Sequence, residues 1–170
     1  MTIAEIYSDI SAHQIKGLMI HSQMADYYRF LGLPEYAKCH EHHYEKESCN
    51  WRKLSKYYIE HHNKLIEEKP IENPKVIPQT WYQYSRQSVD VGTKKKAIRT
   101  GLNKWRDWEA DTKIMYERYV SDLISEGHIS DAMFIEHFLH DVDKELTKVD
   151  SYLLNKESAE YDMPLIISEQ

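Results

Sequence analysis

The sequence predicts an all-α fold, a four-helix bundle of two antiparallel hairpins joined by one long crossover. Three observations carry this. Apolar and aromatic residues recur at three- and four-residue steps through four long stretches, the period of an amphipathic helix. The outer pairs of stretches are separated by only a few residues that include a Gly, whereas the middle pair is separated by a proline-bearing segment. Only five Gly and five Pro interrupt 170 residues, so long helices can persist.

The first helix is expected over about 8–30, with Ile10, Gln14, Leu18, His21, Ala25 and Tyr28 on one face. Gly32 suits a left-handed cap and Pro34 a helix start. The second is expected over about 34–67, with a seam of Ala37, His40, Tyr44, Glu47, Trp51, Leu54 and Tyr58, closed by Lys69-Pro70. Residues 70–92 hold Pro70, Pro74, Pro78 and the run Trp81-Tyr82-Gln83-Tyr84 without a helical period. A segment this long without regular structure needs a reason in a compact domain. Crossing the bundle supplies one: about 30 helical residues span roughly 45 Å, and about 22 extended residues reach roughly 75 Å. The third helix is expected over about 94–126, with Ala97, Ile98, Leu102, Trp105, Glu109, Thr112, Tyr116, Tyr119 and Leu123 inward. Gly127 suits its cap, and Ser130 or Asp131 the N-cap of a fourth helix over about 131–154. That helix turns Ile135, Phe138, Val142, Glu145, Val149 and Tyr152 or Leu153 inward. One bundle domain over 1–155 and a tail over 156–170, apolar at Met163-Pro164-Leu165-Ile166-Ile167, complete the organisation.

With 41% hydrophobic and 29% charged residues, the composition is that of a folded, soluble chain. A formal net charge of −6 argues against a nucleic-acid partner, and Lys94-Lys95-Lys96 with Arg99 reads as a solvated face. No apolar run reaches the roughly 20 residues of a membrane span. Met1–Gln14 lacks the basic start and apolar centre of a secretory signal. Cys39 and Cys49 lie ten residues apart, roughly 15 Å along one helix, too far to bridge. Reduced thiols and a cytoplasmic location are expected. Tyr27, Trp81, Tyr82 and Tyr84 are expected on outer faces, and with the apolar tail they point to a homo-oligomer, a dimer or larger.

Polar residues interrupt all four seams. The first helix offers Gln14 and His21, the second His43, Glu47 and Asn50, the third Glu109, and the fourth Asp141 and Glu145. Any one of these reads as a satisfied or snorkelling side chain. Together they suggest more, because converging carboxylates need a cation or a shared proton, and facing carboxylates build dinuclear iron or manganese sites in helical bundles. His43 lies four residues before Glu47 and shares its face. The run His40-Glu41-His42-His43 reads mainly as partly exposed surface, with at most two of its members facing one site. His61-His62 suits the negative end of a helix, and Cys49 reads as a small packed residue.

The segment Gln23-Met24-Ala25-Asp26-Tyr27-Tyr28 through Leu31-Gly32-Leu33-Pro34-Glu35-Tyr36-Ala37-Lys38, with Glu45-Lys46-Glu47 and Lys53-Leu54, resembles the first two helices of bacterial non-haem ferritins. Trp108-Glu109 and Phe138 to Glu145 are similar to the third and fourth. The resemblance implies a ferritin-like bundle and iron or manganese ligands at Glu47, Glu109, Asp141 and Glu145. It departs from the family at Gln14, where a Glu is usual, and at Glu47-Ser48-Cys49-Asn50, where Glu-x-x-His is usual. Val142 replaces the Gln of the fourth-helix motif. His21 and His43 are candidates to restore a rearranged site, since iron and manganese accept mixed carboxylate and imidazole ligands. Three functions follow: iron handling or oxidation at such a site, a bundle that has lost its metal and serves as a structural or interaction subunit, or a different enzyme on a carboxylate-bridged bundle. Gln14 and Asn50 weigh against ferroxidase activity.

Overall fold

The computed structural model describes residues 1–86 and 89–158, with side chains to Leu154. Among the described residues there are four α-helices and no strand: α1 (Ile3–Phe30), α2 (Pro34–His62), α3 (Val91–Ser125) and α4 (Ile129–Ser158). The chain divides into two compact units, Met1–Val89 and Asp90–Gln170, each built around one helical hairpin. The expectation for the apolar tail Met163–Ile167 lies outside the described residues.

In the first unit α1 starts five residues earlier than its apolar period suggests. The cause is a capping box: Thr2 Oγ1 accepts from Glu5 N–H at 3.2 Å, and Glu5 Oε2 accepts from Thr2 N–H at 2.7 Å. The helix stops at Gly32, whose φ of 72° only glycine adopts readily. There Gly32 N–H donates to Arg29 O and Leu33 N–H to Tyr28 O, the paired bonds of a Schellman cap. Pro34 then opens α2. That helix ends at His62 and not near Glu67, because Asn63 takes the left-handed conformation, φ 54°, and its N–H closes on Ile59 O.

The three-residue turn forces α1 and α2 antiparallel, and the side-chain contacts follow that direction. Tyr7 meets Tyr58, Trp51 bonds Ser11, His21 meets His40, and Tyr28 meets Tyr36. The predicted face of α1 is buried throughout, at Ile10, Gln14, Leu18, His21, Ala25 and Tyr28. The α2 seam needs correction. Tyr36 is buried beside Ala37, so the strip steps from His40 to His43; Tyr44 is exposed, and Glu47 and Trp51 are half-buried. Cys49 is exposed and not packed, whereas Cys39 is buried; both thiols are free.

Residues 63–86 run back along α1 as a strap. At its start Lys69 pairs with Asp9, and Ser11 Oγ donates to the Glu68 carboxylate at 3.1 Å. Gln23 holds its middle: Nε2 donates to Asn73 Oδ1 and Pro74 O, and Oε1 accepts from Val76 N–H at 3.0 Å. A short 3-10 helix, Gln79–Gln83, then sets Trp81 against Tyr27 and Phe30, and Arg86 donates to Arg29 O. Tyr27 is therefore buried beneath the strap and not on an outer face, while Tyr82 and Tyr84 are exposed.

In the second unit Asp90 caps α3, its Oδ1 accepting from Thr93 N–H at 2.7 Å, so the helix begins at Val91. Gly127, φ 83°, ends it with a second Schellman pair, Gly127 N–H to Ile124 O and His128 N–H to Leu123 O. Because α4 starts at Ile129, Ser130 and Asp131 lie in its first turn and do not cap it. Tyr116 packs on Phe138, Lys113 pairs with Asp143, and Trp105 meets Tyr152, the order of an antiparallel pair. All nine residues expected inward on α3 are buried, as are Ile135, Phe138, Val142, Glu145, Val149 and Tyr152 on α4.

Candidate functional site

The polar side chains that interrupt the α1 and α2 faces converge within the first hairpin. His21 is fully buried, and His40 and His43 are 1% and 2% exposed. Their placement follows from helical spacing. His21 sits one turn before Ala25 on the inward face of α1, and His40, His43 and Glu47 occupy successive three- and four-residue steps of α2. His21 Nδ1 lies 3.0 Å from His40 Nδ1, and His21 Nε2 lies 3.4 Å from Glu47 Oε1. The His43 ring stacks beside His21, centroids 5.3 Å apart. Tyr28 stacks on His40, centroids 5.5 Å apart.

Burial, reinforced by the neighbouring His21, holds His40 well below the ordinary imidazole range, so it is neutral at pH 7. Burial likewise keeps the Tyr28 phenol protonated. A hydrogen bond between two Nδ1 atoms requires one ring to carry hydrogen there and the other a lone pair. Two arrangements satisfy it. In one, His40 donates to His21, which puts the hydrogen of His21 on Nε2, turned toward the Glu47 carboxylate. In the other, His21 donates to His40, which leaves the His21 Nε2 lone pair facing the Glu47 carboxylate. A cation between them, or a proton shared by the two groups, relieves that second arrangement.

Around this centre, Trp51 Nε1 donates to Ser11 Oγ at 3.0 Å, and Ser11 donates onward to Glu68. His13, half-buried, is held down to about 4, chiefly by burial; Glu47 opposes the shift and Lys16 adds to it. Gln14 is buried and Asn50 half-buried.

Of the six residues expected as ligands, the first hairpin thus brings together His21, His43 and Glu47. In the second hairpin Glu109 is 2% exposed and accepts from Trp105 Nε1 at 3.3 Å. Glu145 is buried and Asp141 half-buried, one turn apart on α4. Sequence reasoning passed over His40 as a partner of His21, although it lies in the expected seam. The run that reads as surface divides evenly: His40 and His43 are buried, Glu41 and His42 exposed. His13 carried no signal beyond its residue type.

No known protein family matches the chain, and no curated protein is significantly similar to it. No helix among the described residues is long and apolar enough to cross a membrane.

Proposed function

We propose that this chain is a helical metal-binding protein that takes a divalent iron- or manganese-class ion at His21 and Glu47. The observation that carries the reading is the 3.4 Å approach of His21 Nε2 to Glu47 Oε1, with the other nitrogen of His21 held by His40. A ligating imidazole ordinarily donates its second N–H to a neighbouring acceptor, which fixes the tautomer and aims the lone pair. His40, neutral and buried, is suited to accept that hydrogen. His43 stands beside the pair as a third ligand reached by side-chain rotation. Imidazole with carboxylate suits manganese, iron, cobalt and zinc, with affinity rising in that order up to the later metals. Relative to the ferritin pattern, the imidazoles come from His21 on α1 and from His43, four residues before Glu47 on α2, in place of the one expected at Asn50. This rearrangement favours holding an ion over the two-metal oxidation that the resemblance implies.

A second reading rests on the same contacts. With His40 donating to His21 and the His21 Nε2–H turned toward Glu47, the three groups are compatible without an ion, as expected of a scaffold or interaction subunit that has lost its metal. The two readings separate in an anaerobic thermal melt with Mn(II), Fe(II), Co(II) or Zn(II). At a hundredfold excess over Kd, binding adds about 2.7 kcal/mol to the native state. The wild type is expected to gain stability, and His21→Ala and Glu47→Gln to lose that gain. Glu109→Gln and Glu145→Gln, measured alongside, report whether those carboxylates share in binding, as the resemblance implies. No shift at millimolar metal leaves the scaffold reading.

A further inference from the structure

Between α1 and the strap the first unit forms a groove of about 660 Å³. Its walls include Asp26, Tyr27, Phe30, Trp81, Tyr82 and Tyr84. The volume falls within the range of small-molecule sites, about 300–1,000 Å³. Trp81 is the hub of its aromatic wall. Tyr27 meets it at 5.6 Å and 72°, Phe30 at 6.3 Å and 79°, and Tyr84 at 5.6 Å and 56°. Rings set steeply to one another present π-faces and edges in several directions around one space, unlike a flat stack that offers a single face.

Two features of charge accompany these rings. The Asp26 carboxylate lines the groove and makes no ion pair among the described residues; the guanidinium of nearby Arg29 is taken by Glu41. No cation of the chain lies over Trp81 among the described residues, where such contacts occur instead at Trp51 and Tyr119. Lys75 also lines the groove and, like Asp26, is exposed, but its longer stem can carry the ammonium away into water.

We propose that this groove binds a compact organic cation of the quaternary or alkylated ammonium class, its charge on the aromatic faces around Trp81 and balanced by Asp26. Such a cation gains from ring quadrupoles because its hydration is weak, and Trp is the best single partner for it. The site is independent of the metal reading, since it uses none of the same residues.

Calorimetric titration of the full-length protein with choline, and with its neutral isostere 3,3-dimethylbutan-1-ol, separates cation recognition from apolar burial. Choline is expected to bind at least about tenfold more tightly than the isostere. Trp81→Leu should abolish choline binding, and Trp81→Phe, which keeps a ring in place, should retain it at several-fold lower affinity. Asp26→Asn should weaken choline several-fold and flatten its salt dependence, whereas Lys75→Gln should tighten it. Equal affinity for choline and the isostere overturns the proposal, as does absence of choline binding at tens of millimolar. So does a Trp81→Phe or Asp26→Asn protein, helical by circular dichroism, that binds choline as the wild type does.

Discussion

Single side chains set the acid response of the first hairpin, and the sign follows from burial. His13 has a value of about 4 in the folded protein against 6.5 for a free imidazole. As pH falls the unfolded chain therefore takes the proton first. The stability His13 contributes is complete above pH 6.5 and is lost between there and about pH 4, by at most about 3 kcal/mol. Buried His40 shifts in the same direction. His13→Gln, followed by urea unfolding in chelator between pH 4 and 8, should flatten part of the acid limb and leave the His40 share. An unchanged acid limb would mean that His13 already meets water. His40 allows a separate test of its positioning role. His40→Leu removes no proposed ligand but removes the acceptor for His21, and it should lower Co(II) affinity about ten- to hundredfold while the bound ion keeps its d–d spectrum. These residues also show where sequence was a limited guide. The inward positions of His21 and Glu109 follow from helical period alone. The pairing of His21 with His40 does not, because the axial stagger between two helices is set by the turn and by packing, not by either helix's own pattern.

At the scale of elements, legibility depended on how much of each helix is apolar. The faces of α1, α3 and α4 carry enough large side chains that the period has one solution, and the expected residues are buried. Helix α2 is polar on nearly every side, so a heptad-like reading through Tyr44 and the true strip through His43 differ by one residue in mid-helix. Ends were harder still. Thr2 with Glu5, Asn63 and Asp90 each move a boundary through one or two hydrogen bonds that an apolar period does not register. The strap was legible as a connection but not in its attachment. Gln23, one of the residues in the ferritin resemblance, anchors it through three hydrogen bonds to Asn73, Pro74 and Val76. Gln23→Ala should cost about 1–3 kcal/mol and should speed exchange of the Val76 amide more than that of amides in mid-α1. If Val76 exchanges at the wild-type rate, Trp81 and its aromatic contacts hold the strap without help from Gln23.

At the scale of the whole molecule, the two thiols offer a count that reads both folding and association. Cys39 is buried on the inner side of α2, and Cys49 is exposed ten residues later on the same helix. A thiol reagent should therefore modify one cysteine per native chain quickly and two per unfolded chain. Reaction of Cys39 must await separation of α1 from α2, so its rate at low reagent should fall as a stabilising metal is added. The geometry also limits oxidation. Helical rise places the two sulfurs roughly 15 Å apart, and a disulfide requires Cα atoms within about 7 Å, so no bridge can close within the folded chain. Air oxidation should instead join two chains through Cys49 and stop at a species of twice 20.3 kDa on a non-reducing gel. Cys49→Ser should abolish that species and leave the melting temperature within about 1 °C, since an exposed side chain contributes little. Higher covalent oligomers from the native wild type would show that Cys39 is reached without unfolding. Because the covalent dimer can be mistaken for non-covalent assembly, the solution mass of Cys49→Ser under reducing conditions is the measurement that bears on the homo-oligomer expected from sequence. A mass of 20.3 kDa at tens of micromolar would remove that expectation.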